Sequence, residues 1–267
     1  MTLCLHSGAS RVERTELVRV AEFTPEPTQT WFPVSHIDVL TTVETTLKES
    51  GYSVKAETHA LTKDGHRYFG LLDLTSDIAD GIGLMVGVRN STNQTFPMGF
   101  VGGQRVFICD NGAFSSELLV SKKHTRFGGE RYREHIALAV QNLGSFQAAE
   151  RLRVEYLRNT QCRPYEAEAV ILGAYEKGIL TSRTLGEAIN QWRHPQFDWG
   201  PTDRLFHVFN AISTPLQPTA KSNPARFARV TISLMEMIAG KAGFDSPDLV
   251  VLEPLPQTVT DSPEPTA

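Results

Sequence analysis

Residues 52–74 read YSVKAETHALTKDGHRYFGLLDL, and this stretch decides the predicted fold. Apolar and polar residues alternate over its first part, which is the period-two pattern of a strand with one buried face. Asp64-Gly65 then supplies the strongest short-range signal for a tight turn. The residues after the turn are strongly apolar, so the stretch predicts an antiparallel β-hairpin.

More strands are predicted downstream of this hairpin. Residues 82–88 form a continuous apolar run, which favours a strand that is buried on both faces. Residues 96–101 and 105–109 are predicted to form a second hairpin that turns at Gly102-Gly103. Together these segments predict a meander of roughly four or five strands.

Helices are predicted on both sides of the meander. Before it, Ser35 is placed to cap a helix that ends near Gly51. After it, residues 132–158 have a long helical stripe that Gly144 bends or divides. Strands followed by helices predict the α+β class, with an N-terminal helix and an antiparallel β-meander followed by a helical C-terminal half. Further helices are predicted near residues 164–175, 184–192, 202–212 and 226–239.

The domain organisation follows from these patterns. Residues 35–242 are predicted to form a single α+β domain with a subdomain break near residue 128. Residues 1–34 contain Pro25, Pro27 and Pro33 and are predicted to be irregular. Residues 243–267 contain five acidic residues, five prolines and no Lys or Arg, which predicts a disordered acidic tail.

The composition favours a cytoplasmic protein without a membrane partner. The three cysteines, Cys4, Cys109 and Cys162, are odd in number and form no CxxC pair, so no disulfide framework is expected. No stretch approaches the roughly 18 consecutive apolar residues of a membrane span. The N-terminal residues also lack the apolar core of a secretory signal, which supports the same location.

Positive charge is concentrated in one part of the chain. Nine basic and four acidic residues lie between residues 119 and 163, although the net charge is −4. The densest part is residues 121–133, which we call the basic segment. Cations neutralise phosphates and aromatic rings stack on unpaired bases, so the segment predicts a single-stranded nucleic acid as partner. A solvated loop before an exposed helix is the alternative. The candidate binding residues are Lys122, Lys123, Arg126, Phe127, Arg131, Tyr132 and Arg133.

A second candidate site consists of polar residues at predicted strand ends. If the strands are neighbours, these side chains share one edge of the sheet and form a site for a phosphate-bearing substrate. Turn chemistry is the alternative, because Asn, Asp and Ser often end strands through local side-chain hydrogen bonds. The residues concerned are Arg89, Asn90, Ser91, Asp110, Asn111 and His124.

No metal or cofactor is predicted. The spacing of Cys109 and His124 matches no zinc signature, and the strand pattern around Cys109 favours a buried thiol over a nucleophile. Neither a Walker A motif nor a GxGxxG motif occurs in a strand–loop–helix context, so no P-loop or Rossmann nucleotide site is expected.

Several separated motifs occur in a fixed order along the chain. They are Gly87-Val-Arg-Asn-Ser91, then Gly99, then residues 103–114 (GQRVFICDNGAF), then Lys123-His-Thr125. Together with Ser35-His36 and the HALTKDGHRYFGLL hairpin, they carry a resemblance that extends over most of the chain from Val34 to Gly240. In these motifs the chain resembles the phage- and plasmid-associated "domain of unknown function 932" family. The family name records no assigned activity, and the resemblance implies a role in mobile-DNA biology.

Three functions remain open at the level of the sequence. The first is a non-catalytic protein that binds nucleic acid, single-stranded DNA in particular, in phage or plasmid biology. The second is an enzyme that acts on a phosphate-bearing substrate at the strand-end residues, and the third is a structural or assembly protein. A homo-oligomer fits the first and the third, because an unpaired sheet edge is a natural contact between copies.

Overall fold

The computed structural model describes residues 8–106, 111–222 and 224–241. Within them, six strands form one sheet. The strands are β1 (Ala9–Val12), β2 (Val54–Thr62), β3 (Arg67–Ala79), β4 (Ile82–Ser91), β5 (Met98–Val106) and β6 (Asn111–Lys122). They are ordered in the sheet as in the chain, and every neighbouring pair is antiparallel. The α+β class and the antiparallel meander are therefore confirmed.

Two helices precede β2, and the other helices follow β6. The first two are α1 (Arg14–Ala21) and α2 (His36–Glu49). The later ones are α3 (Gly128–Gln141), α4 (Leu143–Asn159), α5 (Pro164–Glu176), α6 (Ser182–Arg193), α7 (Leu205–Ser213), α8 (Gln217–Ser222) and α9 (Pro224–Lys241), with a 3-10 turn at Thr214–Leu216. α2 packs on β4, α4 on β3, and α3 and α9 on β6. The buried apolar side chains of the sheet and of the helices form one hydrophobic cluster.

The hairpin in residues 52–74 forms as predicted, and local chemistry explains its turn. Gly65 has a φ of 72°, a left-handed conformation that glycine adopts without a steric penalty. The Thr62 hydroxyl donates to Asp64 Oδ1 at 2.5 Å, and the same oxygen accepts from the backbone N–H of His66 at 3.1 Å. This turn determines the register in which β2 pairs with β3.

The predicted turn at Gly102-Gly103 is wrong. β5 continues through both glycines, which pair with residues of β4. A glycine inside a strand often marks a bulge or a close approach, not a turn. Here the pairing of β5 with β6 shifts its register between Val101 and Gly103. Residues 107–110, the end of the predicted hairpin, lie outside the described residues.

The prediction that residues 1–34 are irregular is wrong for part of this segment. β1 extends the sheet beside β2, and α1 packs on α2. The guanidinium of Arg14 in α1 pairs with Glu44 of α2 and, at 2.9 Å, with Glu57 of β2. The prolines follow α1 in the chain, so they do not interrupt it. The predicted tail at residues 243–267 lies outside the described residues.

The predicted boundaries of two helices agree closely with the structure. The long stripe at residues 132–158 is divided at Asn142, two residues before Gly144, into α3 and α4. α2 begins directly after Ser35, whose side-chain oxygen accepts from the backbone N–H of Asp38 at 3.1 Å. This hydrogen bond satisfies one of the free donors at the helix start.

We expect the Ser35→Ala variant to be less stable by about 1 kcal/mol, because the start of α2 loses its capping acceptor. Thr45→Ala is the matched control, since Thr45 is exposed in the middle of α2. The control should be neutral or slightly stabilising, because alanine has the higher helix propensity. Urea unfolding measures both, and equal stability of the two variants would show that the cap is unimportant.

Candidate nucleic-acid interface

The basic segment connects β6 to α3 through a tight turn. The backbone N–H of Thr125 donates to the carbonyl of Lys123 at 3.0 Å, and that of Gly128 donates to Thr125 at 2.8 Å. A Cβ atom on Gly128 would lie 2.2 Å from the Lys123 carbonyl oxygen, so this close approach requires glycine. The turn thereby holds Lys123 next to the first turn of α3.

Most of the predicted binding residues in the basic segment are on the surface. Phe127 is 51% exposed, and the guanidinium carbon of Arg126 lies 5.8 Å from the centre of its ring. Lys122 is partly buried. An exposed ring between cations can stack on a base while the cations contact the adjacent phosphates. The exposed side chains are those of Lys123, Arg126, Phe127, Arg131 and Arg133.

The position of Tyr132 in the structure does not agree with the prediction that it binds nucleic acid. Its side chain is only 1% exposed, and its hydroxyl donates to the carbonyl of Gly99 at 3.2 Å. Burial raises the pKa of this phenol well above its usual range. Tyr132 therefore holds α3 against β5 and cannot stack on a base, because the periodicity of α3 turns it towards the core.

Several arginines of the basic middle region are used within the fold. In α4, Arg151 Nε donates to the carbonyl of Ile78 at 2.9 Å and Arg158 to that of Asp80 at 2.7 Å. These bonds hold α4 against the end of β3 and the turn that follows it. Arg153 pairs with Glu150 and Arg163 with Glu166. Within residues 119–163, the exposed positive charge that is not used in these contacts therefore lies in the basic segment.

The strand-end residues Asn90 and Ser91 are buried and hydrogen-bonded to other parts of the chain. The Asn90 amide donates to the carbonyl of Val34 at 2.8 Å and to Nδ1 of His36 at 3.0 Å. The Ser91 hydroxyl donates to the carbonyl of Phe96 at 2.6 Å and accepts from its N–H at 3.0 Å. The turn-chemistry alternative therefore describes Ser91.

His124 is also part of this buried network. Its Nδ1 accepts from the backbone N–H of Val34 at 3.2 Å, and its carbonyl accepts from Phe32 at 2.8 Å. Burial lowers the pKa of this imidazole. We call Val34, His36, Asn90 and His124 the Val34 clamp, because Val34 is bonded to both β4 and the basic segment.

His36 is a member of the Val34 clamp that the sequence analysis did not identify as a site residue. It is 2% exposed, and its Nε2–H donates to the carbonyl of Gly65 at 2.9 Å while Nδ1 accepts from Asn90. Its position on the apolar face of α2, one turn before Leu40, was the available signal.

The six predicted strand-end residues do not form one site. Arg89 and Asn90 are consecutive in β4, so their side chains project from opposite faces of the sheet. β4 and β6 are both antiparallel to β5, and Asn111 begins β6 where Ser91 ends β4. β6 runs in the same direction as β4, so the start of β6 and the end of β4 are at opposite ends of the strands. Asn111 and Ser91 therefore lie far apart. Asp110 lies outside the described residues, as does the side chain of Asn111.

A metal site and a membrane span are two further features that the described residues could contain. In the described part of the chain, no three His, Cys, Asp or Glu side chains come close enough to hold a metal ion. Among the same residues, no helix has the length and apolar character to cross a membrane.

A scan against models of protein families, a search of curated proteins and a search of solved structures each gave no match. None of the three comparisons therefore indicates a function for this chain.

We expect Asn90→Leu to destabilise the protein by about 2–4 kcal/mol, because the buried Nδ1 of His36 and the partly buried carbonyl of Val34 both lose their donor. The replacement has a similar volume, so the polar loss dominates. Asn190→Leu on the exposed face of α6 is the control and should stay within about 0.5 kcal/mol of the parent. Urea unfolding tests the prediction, and a stable Asn90→Leu variant would contradict the importance of the clamp.

We also expect stability to decrease as the pH falls from about 6.5 towards about 4. Burial lowers the pKa of His36 to about 4, whereas an unfolded histidine titrates near 6.5. The unfolded chain therefore binds a proton in this window that the folded chain does not, which favours unfolding by up to about 3 kcal/mol. Above the window the stability is fully present.

The measurement is urea unfolding at several pH values for the parent chain and for His36→Gln. The variant should have a flatter pH dependence, with the remaining slope due in part to His124, whose pKa is lowered by burial as well. His194→Gln, at an exposed position, is the matched control. An unchanged slope in His36→Gln would contradict the assignment.

Proposed function

We propose that this chain is a non-catalytic protein that binds single-stranded nucleic acid through the basic segment. Its resemblance to the phage- and plasmid-associated family suggests that the partner is DNA of a mobile element. The observation that supports the proposal best is the exposed set of Lys123, Arg126 and Phe127 on one short turn. Among the described residues, none of Lys123, Arg126 and Arg133 has an ion pair with a carboxylate. Their charges are therefore available to phosphates.

The Val34 clamp supports the proposal because it organises the surface before a ligand binds. His124 lies between Lys123 and Arg126, and both its ring and its carbonyl are hydrogen-bonded to the segment before α2. The position of the turn is therefore determined by the fold. A surface that is ordered in advance loses less conformational entropy on binding, which favours affinity.

The chemistry of the surface favours unpaired strands with little sequence preference. Cations contact the phosphates that every strand has, and Phe127 can stack on any base with an exposed face. Stacking of this kind requires unpaired bases, which a duplex does not offer. The enzyme hypothesis has less support, because the strand-end residues Asn90, Ser91 and His124 are buried in hydrogen bonds of the fold.

The charge contribution is tested by replacing Lys123, Arg126 and Arg133 together with alanine. Binding of a labelled single-stranded oligonucleotide, measured by fluorescence anisotropy, should weaken roughly 100-fold at low salt. The slope of log affinity against log salt should decrease in magnitude by about two, since each lost contact to a single strand contributes about 0.7.

The matched control is the triple alanine variant of Lys177, Arg183 and Arg193, which are exposed directly after α5 or on α6. It removes the same charge at a different place, so it should retain most of the affinity. Equal loss in both triple variants would indicate an effect of net charge alone. Absence of binding by the parent chain would refute the proposed function.

The stacking contribution is tested separately with Phe127→Ala. A stacked base contributes about 1–3 kcal/mol, so the affinity should decrease about 5- to 150-fold while the salt slope stays constant. Leu138→Ala is the control, because Leu138 is 46% exposed on α3. A Phe127→Ala variant that binds like the parent would leave charge as the only contribution.

A further inference from the structure

Arg89 and Arg67 lie next to each other on one face of the sheet. In the pairing of β3 with β4, Arg89 is opposite Phe69 and Arg67 is opposite Ser91. Arg67 and Arg89 are therefore diagonal neighbours, and alternation along the strands directs both side chains to the same face. At such positions the Cα atoms are roughly 7–8 Å apart, within reach of one shared ligand for two long side chains.

Both guanidinium groups lack an acidic partner among the described residues. Neither has an ion pair or a side-chain hydrogen bond there, and Nε of Arg67 is buried without an acceptor. Both side chains are partly buried. Burial lowers the pKa of Arg89, but a guanidinium stays charged in proteins. Two neighbouring cations with reduced hydration repel each other, so an anion between them would be stabilising.

The side chain of Arg89 extends over β5 towards the basic segment because Gly99 has no side chain in that space. Gly99 lies opposite Arg89 in β5, and Ser121 lies opposite Gly99 in β6. A Cβ on Gly99 would lie 2.7 Å from Nε and 2.8 Å from Cγ of Arg89, so the arginine occupies the space above this glycine. Its guanidinium carbon is also 5.6 Å from the centre of the Phe96 ring. Arg89, Gly99 and Ser121 therefore lie side by side on β4, β5 and β6. Ser121 is the first residue of the basic segment.

We propose that Arg67 and Arg89 form a two-arginine site for a phosphate group, occupied by a phosphodiester of the strand that binds to the basic segment. The planar fork of arginine donates two parallel hydrogen bonds to phosphate oxygens, which lysine cannot do. The ring of Phe96 supports the guanidinium of Arg89 from one side. The identity of the ligand as a strand, and not a small phosphate compound, rests on the proposed function.

The first experiment measures oligonucleotide affinity for the full chain with Arg89→Gln, Arg67→Gln and Arg89→Lys. Each glutamine variant should bind about tenfold or more weakly, since a lost hydrogen bond to a charged group has at least this effect. Arg89→Lys retains the charge and should recover only part of the affinity. Arg183→Gln, at an exposed position on α6, should bind like the parent.

Gly99→Ala tests the geometry without removing a charge. The new methyl group would displace Arg89 from its position over β5, so the affinity should fall as in Arg89→Gln. Circular dichroism shows whether Gly99→Ala folds. If it does not fold, the affinity of Arg89→Lys is compared with that of the parent chain instead. Parent-like affinity in Gly99→Ala and in both glutamine variants would overturn the site while leaving the proposed function intact.

The second experiment uses inorganic phosphate alone and follows the thermal unfolding midpoint. Phosphate should raise the midpoint of the parent chain but not that of the Arg67→Gln/Arg89→Gln double variant. If the parent binds no oligonucleotide yet shows this difference, the proposed function fails and the site takes a small phosphate compound. If phosphate has the same effect on both chains and the glutamine variants bind oligonucleotide normally, the two-arginine site is refuted.

Discussion

Val34 uses both of its backbone hydrogen-bonding groups to join distant parts of the chain. Its N–H donates to His124 in the basic segment, and its carbonyl accepts from Asn90 at the end of β4. Because the buried side chains of Asn90 and His124 would each lose a hydrogen-bond partner without Val34, this pair of bonds constrains all three segments together. The entry to α2, the end of the sheet and the turn before α3 therefore cannot move independently, and the exposed cations of the basic segment keep their position relative to the sheet.

The Val34 clamp contains polar residues that are buried in the fold, in contrast to the exposed cations of the basic segment. Asn90, His36 and His124 are buried in the Val34 clamp, and burial lowers the pKa of both histidines, so the network is neutral near neutral pH. Arg151 and Arg158 of α4 are also used within the fold, because they donate to backbone carbonyls at the end of β3 and in the turn that follows it. These contacts do not involve the exposed cations of the basic segment or the Arg67–Arg89 pair. The proposed binding of a polyanion depends on these two places.

Strand alternation explains why neighbouring residues of one motif have different roles. In Gly87-Val-Arg-Asn-Ser91, Asn90 faces α2, whereas Arg89 lies on the other face over Gly99. Gly99 accommodates Arg89 with its missing side chain, and its carbonyl accepts from Tyr132. Arg89 and Tyr132 of α3 therefore both contact Gly99, so the arginine and the helix are positioned against the same residue of β5.

The sequence by itself determined the local elements: the Asp64-Gly65 hairpin, the cap at Ser35, the division of the long helix near Gly144 and the charge of the basic segment. These depend on residues close together in the chain, so local propensity and periodicity suffice. Only the tertiary structure decided which side chains are exposed and which meet. It buried Tyr132, brought His36 to Asn90, placed Gly102-Gly103 inside β5 and put Asn111 at the opposite end of the strands from Ser91. Strand pairing and helix packing bring together residues far apart in sequence, and no local pattern contains that information.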